Sequence, residues 1–444
     1  MAVPPRLRGW RRVRTRHTPV AKHVSLGAQD LLYREEVSGV VLMIGAAAAV
    51  VLANSPWAGT VDQFWSVPLM IDLGVLRIEE SFRDWINHLF MALFFLGVTL
   101  EIKEELLFGR LARWKEAALP AAMAVGGMIV PALAFFAATA GTEAASGWAV
   151  PTATDVAFAL GVIALLGPRV PNAVRLLLLA VAIVDDIGAI LVIALFYTRD
   201  LEFEALAAAA IPLAVLLLLR FARVRSLSPY LFAGVFLWFA VFRSGIHPTL
   251  AGVVLAVFIP ARRLLTFDEY AGRVEEGVAR LRAATGTDSS QAIIGELDEL
   301  TDETQTPLER LRVHLHPWVS YGVLPLFALV NAGVPLSMDA FEALRQPVAA
   351  GVFAGLLLGK PAGMLAAAWL AVRFGIAGLP ATLSRHHLAG LGILGGIGFT
   401  VSLFIAALSF EGPMLAAART AVLLSSVTMA VIGYAWLRIA TSRR

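Results

Sequence analysis

Asp185 and Asp186 stand side by side in the run 176–196, which is otherwise apolar and long enough to cross a bilayer. A charge at mid-membrane costs roughly 2.5–3.5 kcal/mol on insertion scales. A retained pair therefore reads as a place where a cation or a proton is bound and released. Successive residues of a helix point about 100° apart, so the two carboxylates can take different tasks. No basic residue within the run neutralises them, and Arg175 lies only at its edge.

Three further stretches carry chemistry at membrane depth. Pro151, Thr152, Ala153, Thr154 and Asp155 make a poor helix and a good break. Irregular backbone survives in a membrane only where protein or a water-filled cavity satisfies it, and the free ends of a broken helix make ion sites. Either Thr154 and Asp155 line such a site, or Asp155 simply caps a helix near the outer surface. Lys360, in the segment 355–363, is the one basic residue placed deep within a span. It either pairs with an aspartate, offsetting both desolvation costs, or snorkels to an interface. The glycines of 390–398 weaken a second helix and allow close backbone approach. Taken with 151–155, they suggest two interrupted helices at matching places in two halves of the chain.

The elements that must position these residues follow from composition. The chain has 444 residues, 58% hydrophobic and 16% charged, with a mean hydropathy of +0.76. Soluble domains are about a quarter charged, so this is an all-α, polytopic membrane protein. About twelve spans of the required ~20 residues can be laid out. They cover 37–56, 85–102, 117–140, 150–167, 176–197, 203–219, 229–243, 247–261, 317–336, 347–372, 387–410 and 415–437. The predicted organisation is a basic, disordered cytoplasmic tail (1–36), eight helices (37–261), a long polar loop (262–316), and four helices with a short tail (317–444). Within the loop, 268–284 suits an amphipathic helix, and the segment is either a solvated linker or a regulatory element.

Charge tests this layout. The predicted inner loops hold Lys103, Arg110, Arg113, Lys115, Arg169, Arg175, Arg220, Arg223, Arg225, Arg373, Arg385, Arg438, Arg443 and Arg444. The predicted outer loops and span ends hold fewer: Arg77, Arg83, Arg199, Arg243, Arg345 and Arg419. The bias predicts an even number of spans with both termini inside. It also explains the net charge of +3 as topology, so no nucleic-acid partner is expected. The tail has basic residues but no apolar core, which excludes a cleaved signal peptide. Absence of cysteine excludes disulfides, thiolate metal sites and cysteine nucleophiles.

In their order along the chain, several stretches resemble the NhaA family of sodium/proton antiporters. They are 152–161, 185–189, 244–247, 316–318, 331–333, 359–361 and 396–400, within a likeness running from about Asn54 to the C-terminus and omitting much of the long loop. The resemblance implies a fold with two inverted repeats and two interrupted helices crossing at mid-membrane. It implies an ion antiporter rather than an enzyme, exchanging Na⁺ or Li⁺ for protons, typically electrogenically, across the bacterial inner membrane. Na⁺ and H⁺ are then cargo, and no cofactor is expected. It implies that Asp185 and Asp186 form the shared cation and proton site, with Thr154 and Asp155 at the crossing and Lys360 pairing with the first aspartate. Glu101 and Glu105 match acidic positions at the cytoplasmic mouth, and His247 matches a histidine of the pH response. A homodimer through the outer segment 57–83 is the family expectation.

Two positions depart from the pattern. His88 stands where the family usually has an acid, and Arg312 where many members carry glutamate, with Glu309 displaced nearby. Both touch the pH response and ion attraction rather than the exchange core. Rival classes fit less well. An intramembrane aspartyl protease, which Asp155 with Asp185 would imitate, lacks its Gly-x-Gly-Asp motif here and has no use for Lys360. A sodium-coupled symporter or a passive channel leaves the paired aspartates and the opposing lysine unexplained.

Overall fold

In lipid every backbone N–H and C=O must find its partner inside the chain, so apolar runs of this length close into helices. The structure is a computed structural model that describes residues 35–72, 77–198, 201–263, 266–284, 286–335, 342–380 and 382–442. The expected tail up to residue 34, and Arg199, Arg443 and Arg444, lie outside the described residues. In chain order come α1 (Glu35–Ala53), α2 (Ala58–Trp65), strands β1 (Pro68–Asp72) and β2 (Arg77–Ser81), α3 (Phe82–Phe108) and α4 (Trp114–Thr139). Next are a 3₁₀ turn (Val150–Thr152), α5 (Val156–Leu166), α6 (Asn172–Phe196), α7 (Phe203–Phe221), α8 (Leu227–Arg243) and α9 (Thr249–Phe258). Then come α10 (Phe267–Ala283), α11 (Thr287–Thr304), α12 (Pro307–Asn331), α13 (Pro347–Arg373), α14 (Arg385–Gly395), α15 (Phe399–Ser409) and α16 (Gly412–Ser442).

Among the described residues, eight helices are long and apolar enough to cross a membrane, or up to ten if each of two bent pairs counts as one span. The apolar helices α8 and α9 are shorter. One bent pair runs from Glu143–Thr152 into Val156–Arg169 at 43°, which is the break expected at 151–155. The other, α1 into α2, turns by 116°. Large apolar side chains such as Leu195, Phe203 and Leu358 face outward on these helices, as a lipid solvent allows.

The polar segment 262–316 is more ordered than a linker. Two amphipathic helices, α10 and α11, form a hairpin joined by an Arg280–Glu296 ion pair. α12 begins at Pro307, ten residues before the expected start at 317. Its first turns (Leu308 to His314) are too polar to read as membrane, yet Thr306 opens the helix with a capping box to Glu309.

Buried apolar residues fall into two clusters. The larger gathers Phe95, Phe135, Phe327, Leu356, Phe399 and Phe404. The smaller gathers Leu100, Tyr230, Leu237, Trp238, Leu255 and Leu308. α3 contributes to both, with Phe94 and Phe95 in one and Leu96 and Leu100 in the other. Lys103, also on α3, donates to the carbonyls of Ala256 (3.0 Å), Val257 (2.8 Å) and Ile259 (2.5 Å) at the end of α9, a cation at a helix C-terminus.

α4 and α13 cross where two glycines meet. A Cβ on Gly363 would stand 2.1 Å from the Gly126 carbonyl oxygen, so only glycine allows this approach. Single π-helical stretches interrupt three helices: Ile86–Phe90 in α3, Val319–Val323 in α12 and Ala354–Gly359 in α13. The last ends immediately before Lys360.

Candidate functional site: two broken helices and a buried lysine

The sequence predicts breaks in two helices, and the structure brings them together. The first half-helix pair is interrupted between the turn Val150–Thr152 and α5, the second between α14 and α15 at residues 396–398. The Asp155 N–H donates to the Ile397 carbonyl at 2.6 Å, and the Ser402 hydroxyl donates to the Val150 carbonyl at 2.6 Å. Each break thus satisfies backbone and side-chain groups of the other.

Asp155 is buried between the two helix starts. One carboxylate oxygen accepts from the Phe158 N–H of α5 at 2.9 Å, and the other from the Thr400 N–H (3.0 Å) and hydroxyl (2.6 Å) of α15. A single carboxyl group serves the free N–H donors of two helix starts. The capping role weighed from sequence is present, but it lies in the interior and reaches a second helix 245 residues away.

Lys360 occupies the complementary position. It is fully buried and donates to the Thr152 carbonyl, where the first half-helix ends, and to Asp185 Oδ2 at 2.7 Å. Interface snorkelling is thereby replaced by pairing. The Thr154 hydroxyl lies 2.7 Å from Asp185 Oδ2 and 3.0 Å from the Gly395 carbonyl. With one hydrogen it donates to only one of them at a time.

The two adjacent aspartates are not equivalent. Asp185 is buried against Lys360 and Thr154, while its Oδ1 has no hydrogen-bond partner. Asp186, one residue on, makes no hydrogen bond or ion pair among the described residues and lines a cavity of about 130 Å³. Thr154, Asp155, Thr400 and Ser320 share that cavity, which continues past Glu101 to Arg312 and His316. Carboxylate, hydroxyl and carbonyl oxygens are the donors that hard, weakly polarising cations accept.

Of the weaker candidates, Glu101 lines the cavity with Asp186. Glu105 does not: its carboxylate accepts from the Arg110 N–H at 2.7 Å, closing the end of α3. His247 is also outside the cavity. Its Nδ1 lies 2.8 Å from the Thr249 hydroxyl, and its ring packs 5.8 Å from His88 and 5.2 Å from Phe404 between centroids. The two departures noted from sequence therefore fall in different places, with His88 beside His247 and Arg312 at the cavity. Thr400 closed the matching stretch 396–400 without an assigned role, and Ser320 escaped the sequence reading. Thr400, a polar residue at the start of a helix after a glycine run, carried a usable signal as a possible capping residue, whereas Ser320 offered none.

Comparison of the sequence with known proteins places the chain in one family. The family model for Na⁺/H⁺ antiporter 1 covers residues 29–437. The chain belongs to this antiporter family. The match begins upstream of Asn54, where the motif likeness starts, and takes in α1. Among similar relatives, the Na⁺/H⁺ antiporter NhaA of Oleidesulfovibrio alaskensis is 44% identical over 91% of this chain and 92% of its own length. NhaA 1 of Saccharophagus degradans is 42% identical over 91% and 89%. The NhaA of an Escherichia coli strain (O1:K1) is 43% identical over 90% and 95%. Membership makes the chain a multi-pass membrane transporter of the NhaA fold rather than an enzyme.

Proposed function

We propose that this antiporter exchanges Na⁺, or Li⁺, for protons at Asp186 and Asp185. The observation that carries the reading is the division between the two carboxylates. Asp186 lines the cavity without a partner, whereas Asp185 is held by Lys360 and Thr154. An entering Na⁺ finds a carboxylate without a partner at Asp186 and the open Oδ1 of Asp185 beside it, and competes with the lysine ammonium only for Asp185 Oδ2. Protons compete for the same oxygens, so loading one ion expels the other. Exchange then needs only that the site face one side at a time. Asp155 ties the two helix starts together and fixes the geometry around which the exchange occurs.

The basic residues support an orientation. Lys103, Arg220, Arg223, Arg225, Arg262 and Arg263 gather in one pocket at the end of α3, the end toward which Glu101 and Arg312 extend the cavity. By the positive-inside rule this end is cytoplasmic, in the bacterial inner membrane, and the cavity faces inward. The same reading puts the hairpin β1–β2 outside. Its strands pair antiparallel from Pro68↔Ser81 to Asp72↔Arg77 and expose Leu69 and Met70. The hairpin is anchored by Ile78 in the smaller apolar cluster and by Trp85 on the Leu69 carbonyl, and its exposed apolar side chains favour pairing with a second copy in a homodimer. Electrogenic exchange follows if more than one proton returns per Na⁺.

The test is collapse of a preset ΔpH on adding NaCl or LiCl to proteoliposomes, for the wild-type chain and Asp186→Asn. The wild-type response should vanish in the variant, and the Na⁺ concentration for half-response should rise about tenfold per pH unit lowered for each competing proton. A sodium response that survives Asp186→Asn removes this carboxylate from the mechanism.

A further inference from the structure

The cavity intended for a cation has a guanidinium in its wall. Asp155, Asp186 and Glu101 line it, and among the described lining residues Arg312 is the one arginine or lysine. Arg312, His316 and Ser320 follow at successive turns of α12 and all face the cavity. Arg312 is the outermost of the three, so a cation bound for Asp186 passes it.

Its counter-ion is local. Arg312 Nε lies 2.5 Å from Glu104 Oε2 of α3, one turn beyond Glu101, and both side chains are half-buried. The neighbouring acids are committed elsewhere. Glu309 pairs with Arg263 and caps α12 at Thr306, and Glu105 closes the end of α3. Without Glu104, the acids next facing the guanidinium are those of the cavity.

We propose that Arg312 is a tethered cation that competes with Na⁺ for the cavity, and that Glu104 holds it at the mouth. Both residues then set the apparent affinity for the transported ion without touching it at Asp186. The inference rests on the reading of Asp186 as the ion site. A unit charge released within several ångströms of the binding carboxylate, partly screened by water and salt, weakens cation occupancy on the order of tenfold.

The experiment measures KM for Na⁺ and kcat in proteoliposomes at one alkaline pH, with Asp186→Asn as the reference for the underlying reading. Glu104→Gln should raise KM about tenfold and leave kcat within about twofold, and added choline chloride should shrink the rise. Removing the competitor as well, in Glu104→Gln with Arg312→Gln, should return KM to the wild-type value or lower. The exchanged pair, Glu104→Arg with Arg312→Glu, keeps the ion pair and places an acid in the wall, so its KM should fall below wild type. That variant keeps the test open if Glu104→Gln does not fold. An unchanged KM in Glu104→Gln, a rise that persists when Arg312 is also removed, or no fall in the exchanged pair overturns the inference. If instead sodium response persists in Asp186→Asn, the underlying site assignment fails and these KM values lose their meaning.

Discussion

Asp155→Asn is the sharpest perturbation of the crossing because it conserves shape and removes one charge. The carboxylate accepts from Phe158 N–H on one side and from Thr400 N–H and hydroxyl on the other, at 2.9, 3.0 and 2.6 Å. Asparagine offers one accepting oxygen and an amide that only donates. Whichever way it turns, one helix start meets a donor instead of an acceptor, at about 1–3 kcal/mol for the buried unsatisfied group. Withdrawing the charge from two helix N-termini adds about 0.3–1 kcal/mol at each. The sum, about 2–5 kcal/mol, corresponds to a fall in Tm of about 4–10 °C at the ~2 °C per kcal/mol expected of large domains. Thermal unfolding in detergent, followed by the fluorescence of the ten tryptophans, measures it. Thr400→Val removes only the hydroxyl contact and should cost less, about 1 kcal/mol. Asp155→Asn within about 1 °C of wild type, or Thr400→Val costing more than Asp155→Asn, refutes the idea that one carboxylate holds both helix ends.

Lys360→Met should destabilise by about 3–5 kcal/mol at alkaline pH, because Asp185 is left buried and charged. The gap from wild type should narrow as pH falls, since a protonated Asp185 needs no counter-ion, and unfolding curves at pH 8.5 and 5 would reveal a gap that fails to narrow. Gly363→Ala places a methyl 2.1 Å from the Gly126 carbonyl and should cost about 1–3 kcal/mol. Gly272→Ala, with nothing within 4 Å, should lower neither Tm nor yield of monodisperse protein. Glu269 is held below the usual carboxylate range by the Thr266 N–H and hydroxyl. Its contribution to α10 is present above the unfolded pKa and is lost as pH falls through the lower folded one. Amide protection in the first turn of α10, taken relative to the intrinsic exchange rate at each pH, should therefore fall only below about pH 4, and a fall near neutrality would contradict it.

What the sequence made legible was whatever depends on a short window and the bilayer. Proline, two threonines and an aspartate at 151–155 announce a break because they oppose helix locally, and the glycines before Phe399 do the same. Asp185, Asp186 and Lys360 stand out because the membrane penalises charge so heavily. The start of α12 at Pro307 was hidden by the polarity of its first turns. α10 was legible as the amphipathic stretch 268–284, but α11 and the pairing of the two were hidden because a solvated amphipathic helix and a solvated linker have similar composition. The resemblance put Asp155 at the crossing, but its bonds to Thr400, 245 residues away, leave no trace in a local window. Glu105 shows the converse: an acid one turn from Glu101 reads as its partner, yet it closes a helix end.

The π-helical stretch at Ala354–Gly359 sets a phase for everything that follows it. A π turn holds one more residue than an α turn, and one residue is about 100° of rotation around the axis. Lys360 comes directly after it, so the direction of its ammonium relative to the segment Pro347–Phe353 is counted out by that additional residue. The same residues wound as a uniform α-helix would turn the lysine by roughly that angle, away from Asp185 and toward a neighbouring wall. The ion pair at the centre of the molecule thus depends on a miscount in the backbone as much as on the two side chains that form it.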